Sequence, residues 1–170
     1  DVETAQIGIQ ASLTGHLVLS TVHTNSAIAA ITRLRDMGIE SFLLASSLRT
    51  IISQRLVRRI CTNCRTEVTP SSEAIKLLNL DPKQKTYTSL GCESCSHTGY
   101  QGRIAIAECI QIDKKIKDMI HENASENEIS DYVFKDNPSI DDASKNLVVN
   151  GITSCEELIR INNLKEDADI

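Results

Sequence analysis

The sequence has no tryptophan, and phenylalanine and tyrosine together make up only 3% of its 170 residues. A core must therefore be built mainly from aliphatic side chains, and a surface on which nucleic-acid bases stack is not expected. An excess of basic residues is also missing, because 18 Lys and Arg stand against 23 Asp and Glu. Proteins that bind nucleic acid generally carry such an excess to displace counterions. We therefore expect no nucleic-acid partner.

Long apolar runs and nucleotide-binding motifs are absent as well. No stretch approaches the roughly 18 to 20 apolar residues that span a bilayer, and no signal peptide is recognisable. No GxxxxGK[ST] or GxGxxG pattern occurs, so the sequence contains no such backbone cradle for phosphates. It begins at Asp1 without an initiator Met. These features indicate a piece of a longer protein that by itself hydrolyses no nucleotide.

The first 60 residues show the order of helix and strand patterns that is typical of an α/β domain. Helices are predicted over residues 2–12, from Asn25 or Ser26 to Met37, and over residues 41–56. Residues 16–22, HLVLSTV, form an apolar and β-branched run typical of a strand buried on both faces of a parallel sheet. Because one strand cannot form such a sheet, its neighbours are expected to precede this sequence.

Four of the six cysteines form two CxxC pairs, CTNC and CESC. They are Cys61, Cys64, Cys92 and Cys95. A tight turn points both thiolates of a pair at one ion, and two pairs complete the tetrahedral shell of zinc. Because four sulfurs leave no position for water, this Zn2+ is expected to be structural. The spacer, residues 65–91, is longer than that of a usual zinc ribbon and predicts a small subdomain between the pairs.

Two readings other than zinc are two disulfides and four unliganded thiols. Paired CxxC motifs in a chain without a signal peptide favour the metal. Arg58, Arg59 and Arg65 flank the first pair. These arginines either offset the negative charge of a thiolate cluster or form a solvated basic face.

Three further residues near or outside the pairs receive no ligand role. His97 follows the second pair closely and is expected to be a surface loop residue, the alternative being that it replaces a cysteine ligand. Cys109 and Cys155 stand singly in apolar or helical surroundings, which is typical of small buried side chains. No function is assigned to these two cysteines.

Two histidines, His16 and His23, bracket the predicted strand. His23 stands at its carboxyl end, where ligands bind in open α/β sheets, and just before a helix N-terminus, which favours anions. It is therefore a candidate for sensing a terminal phosphate. The alternative is that His23 caps the following helix or bonds a loop carbonyl.

From Asp113 to about residue 163 the pattern predicts three or four short helices. Capping boxes are predicted at Ser125–Glu128 and Thr153–Glu156. The acidic residues 164–170 are predicted to form a frayed end.

Five sequence blocks occur in order over about residues 1–163. They are DVETAQIGIQASLTGHLVLSTVHTN, RLRDMGI, QRLVRRICTNC, GCESCSHTGYQGRIAIAE and GITSCEELIRI. With the four cysteines, they closely resemble the C-terminal part of the secretion ATPases of the GspE/PulE/PilB type. The resemblance implies an α/β fold: the C-terminal part of a RecA-like P-loop ATPase core, an inserted tetracysteine zinc subdomain and a small helical C-terminal subdomain. These would occupy residues 1–56, 57–105 and 106–163, followed by an acidic tail at 164–170.

The same resemblance implies roles for single residues. The stretch from Gly15 to Asn25 matches the family's His box, which would place His23 near the terminal phosphate with His16 as its companion. Arg103 resembles a family arginine that lies near the adenine base. The family's Walker A and Walker B segments lie outside this sequence. ATP and Mg2+ are therefore implied as cofactors of the full-length protein only.

As a whole, the resemblance implies a cytoplasmic, homo-hexameric ATPase that powers type II protein secretion. Its partners would be inner-membrane platform proteins of the secretion or pilus apparatus, which would hold it peripherally at the bacterial inner membrane. The blocks RLRDMGIE and QRLVRRIC favour the type II branch, and the type IV pilus assembly (extension) ATPase is the alternative. From the residues alone, a zinc-ribbon binding module is the alternative of another class.

Overall fold

The computed structural model describes residues 1–166 and shows a mixed α/β fold. The helices are α1 Val2–Leu13, α2 Ala29–Asp36, α3 Ser41–Ser47, α4 Ser72–Leu77, α5 Lys114–His121, α6 Glu126–Val133, α7 Ile140–Val149 and α8 Cys155–Glu166. The strands are β1 Thr50–Ile60, β2 Arg65–Val68, β3 Thr86–Ser89 and β4 Tyr100–Gln111, and a 3-10 turn spans Glu93–Cys95. None of the described helices has the length and apolarity needed to cross a membrane.

The described strands form two ribbons of two strands each. β1 pairs with β4, and β2 pairs with β3 in antiparallel orientation with Arg65 opposite Ser89. Along β4 the alternating side chains of Ile106, Glu108 and Ile110 are buried. This period of two is typical of a strand that packs one face on a core and leaves the other exposed.

The chain forms two compact units, each assembled from separated segments. The first contains residues 1–53 and 108–137, and the second contains residues 54–107 and the part from residue 138 onward. Fully buried aliphatic side chains mark each core: Ile31, Leu44 and Ile120 in the first unit, and Val57 and Val148 in the second. The borders after residues 53 and 107 fall within three residues of those predicted at residues 56 and 105, but each unit also includes a second segment beyond them. The assignment of segments to an ATPase core and subdomains stays a prediction.

The helices α5 to α8 confirm the helical pattern predicted for the second half of the chain. The box at Ser125–Glu128 is present, because Glu128 Oε2 accepts a hydrogen bond from Ser125 N at 2.8 Å. At α8 the prediction is wrong by one residue. Ser154 Oγ, and not the hydroxyl of Thr153, accepts from Glu157 N at 3.2 Å. Of the end predicted at residues 164–170, residues 164–166 belong to α8, and residues 167–170 lie outside the described part of the chain, so that its fraying stays a prediction.

Helices α1 and α2 confirm two predicted elements with small shifts of their ends. α2 begins at Ala29, whose N–H donates to Ser26 Oγ at 3.1 Å, so Ser26 supplies a cap just before the helix. The helix ends before Gly38, which has a φ of +85°. A residue with positive φ terminates a helix and favours glycine, as the sequence predicted.

The predicted buried strand at residues 16–22 does not form among the described residues, and its pairing with the neighbours expected to precede this sequence stays a prediction. This segment forms neither helix nor strand, and Leu17 and Leu19 are 86% and 87% exposed. A strand requires a neighbour that exchanges backbone hydrogen bonds with it. Neither ribbon in the described part of the chain includes residues 16–22. The hydrophobic composition of residues 16–22 therefore identified an apolar segment, but this segment pairs with no strand of the described part of the chain.

The predicted helix over residues 41–56 is wrong in its second half. Helix α3 ends at Ser47, and β1 begins at Thr50. Residues 50–52 are Thr-Ile-Ile, three consecutive β-branched side chains that favour strands over helices. Pairing with β4 along the same stretch outweighs the helical spacing of the apolar residues.

Candidate metal centre

Each cysteine pair lies in a short connection between two strands, the first pair between β1 and β2 and the second pair between β3 and β4. Cys61 follows the last residue of β1, and Cys64 precedes the first residue of β2. Cys92 precedes the 3-10 turn, and Cys95 is its last residue. Because β2 and β3 pair antiparallel, the loop that leads into β2 lies beside the loop that leaves β3. The sheet thereby brings the two pairs together across the long spacer.

The four sulfur atoms form one compact cluster, with every ligand atom within 4.8 Å of the others. The sulfur of Cys92 lies 3.9 Å from that of Cys61 and 3.8 Å from that of Cys95, and the Cys64 and Cys95 sulfurs are 3.9 Å apart. Zinc–sulfur bonds of about 2.3 Å in a tetrahedron place the sulfurs about 3.8 Å from one another. A disulfide needs about 2.05 Å. The donor set and its spacing therefore fit a tetrahedral zinc ion.

Backbone hydrogen bonds prepare one of the sulfurs to carry a negative charge. Cys95 Sγ accepts from Cys92 N at 3.2 Å and from Gly99 N at 3.3 Å. The bond from Cys92 outweighs the effect of burial and lowers the pKa of the Cys95 thiol to about 6. Burial, in contrast, raises the pKa of Cys64 to about 12. Loss of the proton from the Cys64 thiol is therefore unfavourable in the cluster by itself, and a bound metal ion favours the thiolate.

The loop that carries the second pair depends on a glycine just before it. Gly91 has a φ of +85°, and a Cβ at this position would lie 2.6 Å from the carbonyl oxygen of His97. The loop folds back this closely because His97 N donates to Cys92 O at 2.9 Å. His97 itself is exposed and does not belong to the sulfur cluster, which confirms that it is a surface loop residue.

The three arginines beside the first cysteine pair were predicted either to offset the charge of the thiolates or to form a solvated basic face. Neither alternative describes all three, because two of them bind other groups of the protein. Arg58 forms an ion pair with Glu157 at 2.7 Å. Arg65 donates to Gly151 O at 3.2 Å and lies 4.8 Å from the ring centroid of Tyr87. Arg59 is exposed, as expected for a solvated basic residue.

The two candidate histidines lie in the first unit, near exposed backbone. His16 Nδ1 lies 3.1 Å from Thr14 Oγ1 and 3.3 Å from Ala11 O, at the end of α1. His23 is exposed in the segment that leads to α2. At the start of α2, the buried carboxylate of Glu108 accepts the N–H of Ala27 at 2.8 Å, so a side chain of the protein already holds this amide. The phosphate-sensing role of the histidines stays a prediction.

The remaining candidates are exposed or buried singly. Arg103 lies on the exposed face of β4 in the second unit, and its role near adenine stays a prediction. Cys109 is also exposed, so its predicted burial is wrong, because the period of two on β4 turns it away from the core. Cys155 is buried in α8, as predicted.

Sequence reasoning missed two buried carboxylates, Glu108 and Glu157. They are 3% and 0% exposed. Alternation with Ile106 and Ile110 along β4 is the signal that points Glu108 inward. Glu157 follows Glu156 in a helix, and no local pattern separates the buried carboxylate from its exposed neighbour.

Comparison with known proteins agrees with this arrangement. The profile of a family described as "Type II/IV secretion system protein" matches residues 1–160. The chain belongs to this family. Type II/IV secretion system proteins similar to it include the type II secretion system protein E of Aeromonas hydrophila, 48% identical over 163 residues, and of Pseudomonas aeruginosa, 45% identical. The type II secretion system ATPase E of Vibrio cholerae is 46% identical.

Each of these alignments covers 95% of the chain and 32% of the relative. The chain thus spans about a third of the length of the secretion system proteins that it matches. The matched third is their C-terminal part, which confirms the family resemblance seen in the five sequence blocks.

Proposed function

We propose that this chain is part of a cytoplasmic ATPase that powers type II protein secretion, in which the four cysteines hold a structural zinc ion. The observation that carries the proposal is the family match over residues 1–160, together with 46% identity to a relative named an ATPase. The names of the similar proteins favour the type II branch. Type IV pilus assembly is the alternative, since the family description includes both systems.

The zinc ion in this proposal stabilises the fold and takes no part in catalysis. Among the residues that the structure describes, the cluster offers four sulfurs and no fifth donor. A closed thiolate shell leaves no position at which water or substrate can be activated. Cys61 and Cys95 are buried, which restricts access to the cluster further. A zinc ion held in this way contributes directly to the free energy of folding.

ATP and Mg2+ binding in the full-length protein are part of the proposal, as is a RecA-like core to which residues 1–56 contribute. The sequence contains no GxxxxGK[ST] motif, so the phosphate cradle is assigned to the remainder of the full-length protein. His23 with His16 would face the terminal phosphate, and Arg103 the adenine. Assembly as a homo-hexamer, at inner-membrane platform proteins, completes the proposal.

A chimera tests this function. Residues 1–163 of this chain replace the matching segment of the Vibrio cholerae ATPase E, and the chimera is produced in cells that lack that protein. We expect the purified chimera to hydrolyse ATP and the cells to regain type II secretion. The matched control carries Cys61→Ser and Cys64→Ser in the same chimera and is expected to lose zinc and both activities.

The outcomes separate the alternatives. A folded, zinc-loaded chimera that hydrolyses ATP without restoring secretion would favour the pilus branch. A folded, zinc-loaded chimera that hydrolyses no ATP would contradict the ATPase assignment. The isolated chain of 170 residues is expected to show no ATP turnover.

A further inference from the structure

The turn between α7 and α8, residues 150–154, is bonded to residues that flank the first cysteine pair. Three hydrogen bonds run from Ile60 N to Ile152 O (2.9 Å), from Arg65 Nη1 to Gly151 O (3.2 Å) and from Thr153 Oγ1 to Arg58 O (2.8 Å). Ile60 directly precedes Cys61. Arg65 directly follows Cys64. Both sides of this cysteine pair therefore hold the α7–α8 turn.

The second cysteine pair reaches the same turn through Tyr100. Gly99 N donates to the Cys95 sulfur, and Tyr100 is the next residue along the chain. The hydroxyl of Tyr100 lies 2.7 Å from Ser154 Oγ. Ser154 Oγ also accepts a hydrogen bond from the N–H of Glu157. The hydroxyl of Ser154 therefore links the start of α8 to Tyr100, and through Tyr100 to the second cysteine pair. Residues next to both cysteine pairs thus converge on one turn.

Packing around Gly151 makes the turn sensitive to small displacements. Gly151 has a φ of +65°, and a Cβ at this position would lie 2.5 Å from Cδ2 of Tyr87. Tyr87 is on β3, opposite Glu67 of β2, and its ring lies beneath the guanidinium of Arg65. The turn therefore fits closely against the ribbon that ends at the two cysteine loops.

We propose that metal binding by the four cysteines fixes the α7–α8 turn, so that the metal and the attachment of α8 are thermodynamically coupled. The proposal rests on the zinc occupancy proposed above. An ion joins the loops at residues 61–64 and 92–95, and the contacts to the turn come from both loops. Without the ion, only protein contacts hold these loops in register. Coupling of this kind is reciprocal, so a change in the turn must also weaken metal binding.

Hydrogen exchange measured by mass spectrometry tests one direction of the coupling. The whole 170-residue chain is compared with zinc bound and after removal of zinc by a chelator, with metal content determined in each sample. We expect the amides of residues 151–158 to exchange at least about fivefold faster without zinc, together with those of the cysteine loops. The amides of α5, in the first unit, are expected to exchange at the same rate in both samples.

Zinc affinity of a turn variant tests the other direction. Gly151→Ala places a Cβ against Tyr87, and we expect it to weaken zinc binding about fivefold or more in competition with a chromophoric chelator. Gly102→Ala is the matched control: Gly102 lies in the same unit and has a φ of +74°, but a Cβ there meets nothing within 4 Å. The control is expected to bind zinc within about twofold of the unmodified chain.

If Gly151→Ala does not fold, Tyr100→Phe replaces it, since this change removes only the hydroxyl that meets Ser154. A chain that binds no zinc would overturn the metal assignment and the coupling with it. A zinc-binding chain whose turn exchanges equally fast in both forms would overturn the coupling alone. Equal weakening of zinc binding by Gly151→Ala and Gly102→Ala would do the same.

Discussion

The carboxylate of Glu157 is completely buried and accepts a hydrogen bond from Nε of Arg58 at 2.8 Å. It also accepts from the backbone N–H of Arg58 at 3.0 Å and from Arg160 Nε at 2.9 Å. Burial alone raises the pKa of this carboxyl, but the hydrogen bonds from Arg160 and Arg58 outweigh burial and lower the pKa to about 2. Glu157 therefore stays ionised inside the second unit and links β1 to α8.

Replacement of this carboxylate is expected to destabilise the chain strongly. In Glu157→Ala, the N–H of Arg58 and the guanidinium groups of Arg58 and Arg160 lose their acceptor. Because both guanidinium groups are about half exposed to solvent, the expected cost is that of hydrogen bonds to a charged group, about 2 kcal/mol. The measurement is the free energy of unfolding in urea at neutral pH. Glu156→Ala is the control, because Glu156 is exposed on the same helix turn, and a change of under about 0.5 kcal/mol is expected. Equal effects of the two substitutions would contradict the role assigned to Glu157.

Arg35 stabilises the end of α5 in the first unit. Its guanidinium donates from Nη1 to Ala124 O and from Nη2 to Ile120 O, both at 3.0 Å. The last carbonyls of a helix lack partners within the helix and attract a positive charge. We expect Arg35→Ala to lower the free energy of unfolding by about 2 kcal/mol, as for hydrogen bonds to a charged group. Arg33 lies on α2, the same helix as Arg35, but its side chain is exposed. Arg33→Ala should therefore leave the urea midpoint of unfolding nearly unchanged.

The capping box of α6 predicts a dependence of stability on pH. Hydrogen bonds from the backbone N–H and the hydroxyl of Ser125 lower the pKa of Glu128 below its ordinary value of 4.5. A carboxyl with a lowered pKa in the folded state stabilises that state above the ordinary pKa, and the stabilisation is lost as the pH falls through the lowered pKa. The difference in unfolding temperature between the unmodified chain and Glu128→Gln should therefore be present at pH 7 and shrink below pH 4.5.

A matched substitution in the same helix turn separates the box from the helix dipole. Glu126→Gln removes a charge from the first turn of α6 without touching the reciprocal bonds between Ser125 and Glu128. Carbon NMR titration of the Glu128 carboxyl gives its pKa directly. An ordinary pKa at this residue, or an equally large and pH-dependent effect of Glu126→Gln, would argue against the box as the cause.

Local signals in the sequence were sufficient to predict the cysteine cluster and some helix ends, such as both ends of α1 and the start of α6. The two CxxC pairs each define a tight loop, and residue types at the caps, such as Ser125 with Glu128, act over three residues. These features depend on neighbours in sequence, so a pattern can identify them. The two cysteine pairs come together because β2 pairs with β3. This strand pairing was not predicted from the sequence.

Features that depend on distant partners were the ones that sequence reasoning missed. The segment at residues 16–22 has the composition of a buried strand, but no described residue pairs with it. Residues 50–56 have an apolar spacing that fits a helix, but they belong to strand β1, which pairs with β4. Likewise, the burial of Glu157 depends on Arg58, which lies almost a hundred positions earlier in the sequence.

Substitution of a cluster cysteine tests the metal centre itself. The unmodified chain is expected to bind one zinc ion, with X-ray absorption showing four sulfur ligands at about 2.3 Å. Cys61→Ser removes a buried ligand and should abolish tight zinc binding, whereas Cys109→Ser, at an exposed cysteine outside the cluster, should leave the metal content unchanged. Since a closed thiolate site contributes folding free energy, chelation should also reduce ordered structure in residues 57–105, as measured by circular dichroism and limited proteolysis. Full zinc content in Cys61→Ser, or disulfides joining the four cysteines in the purified chain, would show that the cluster is not a zinc site.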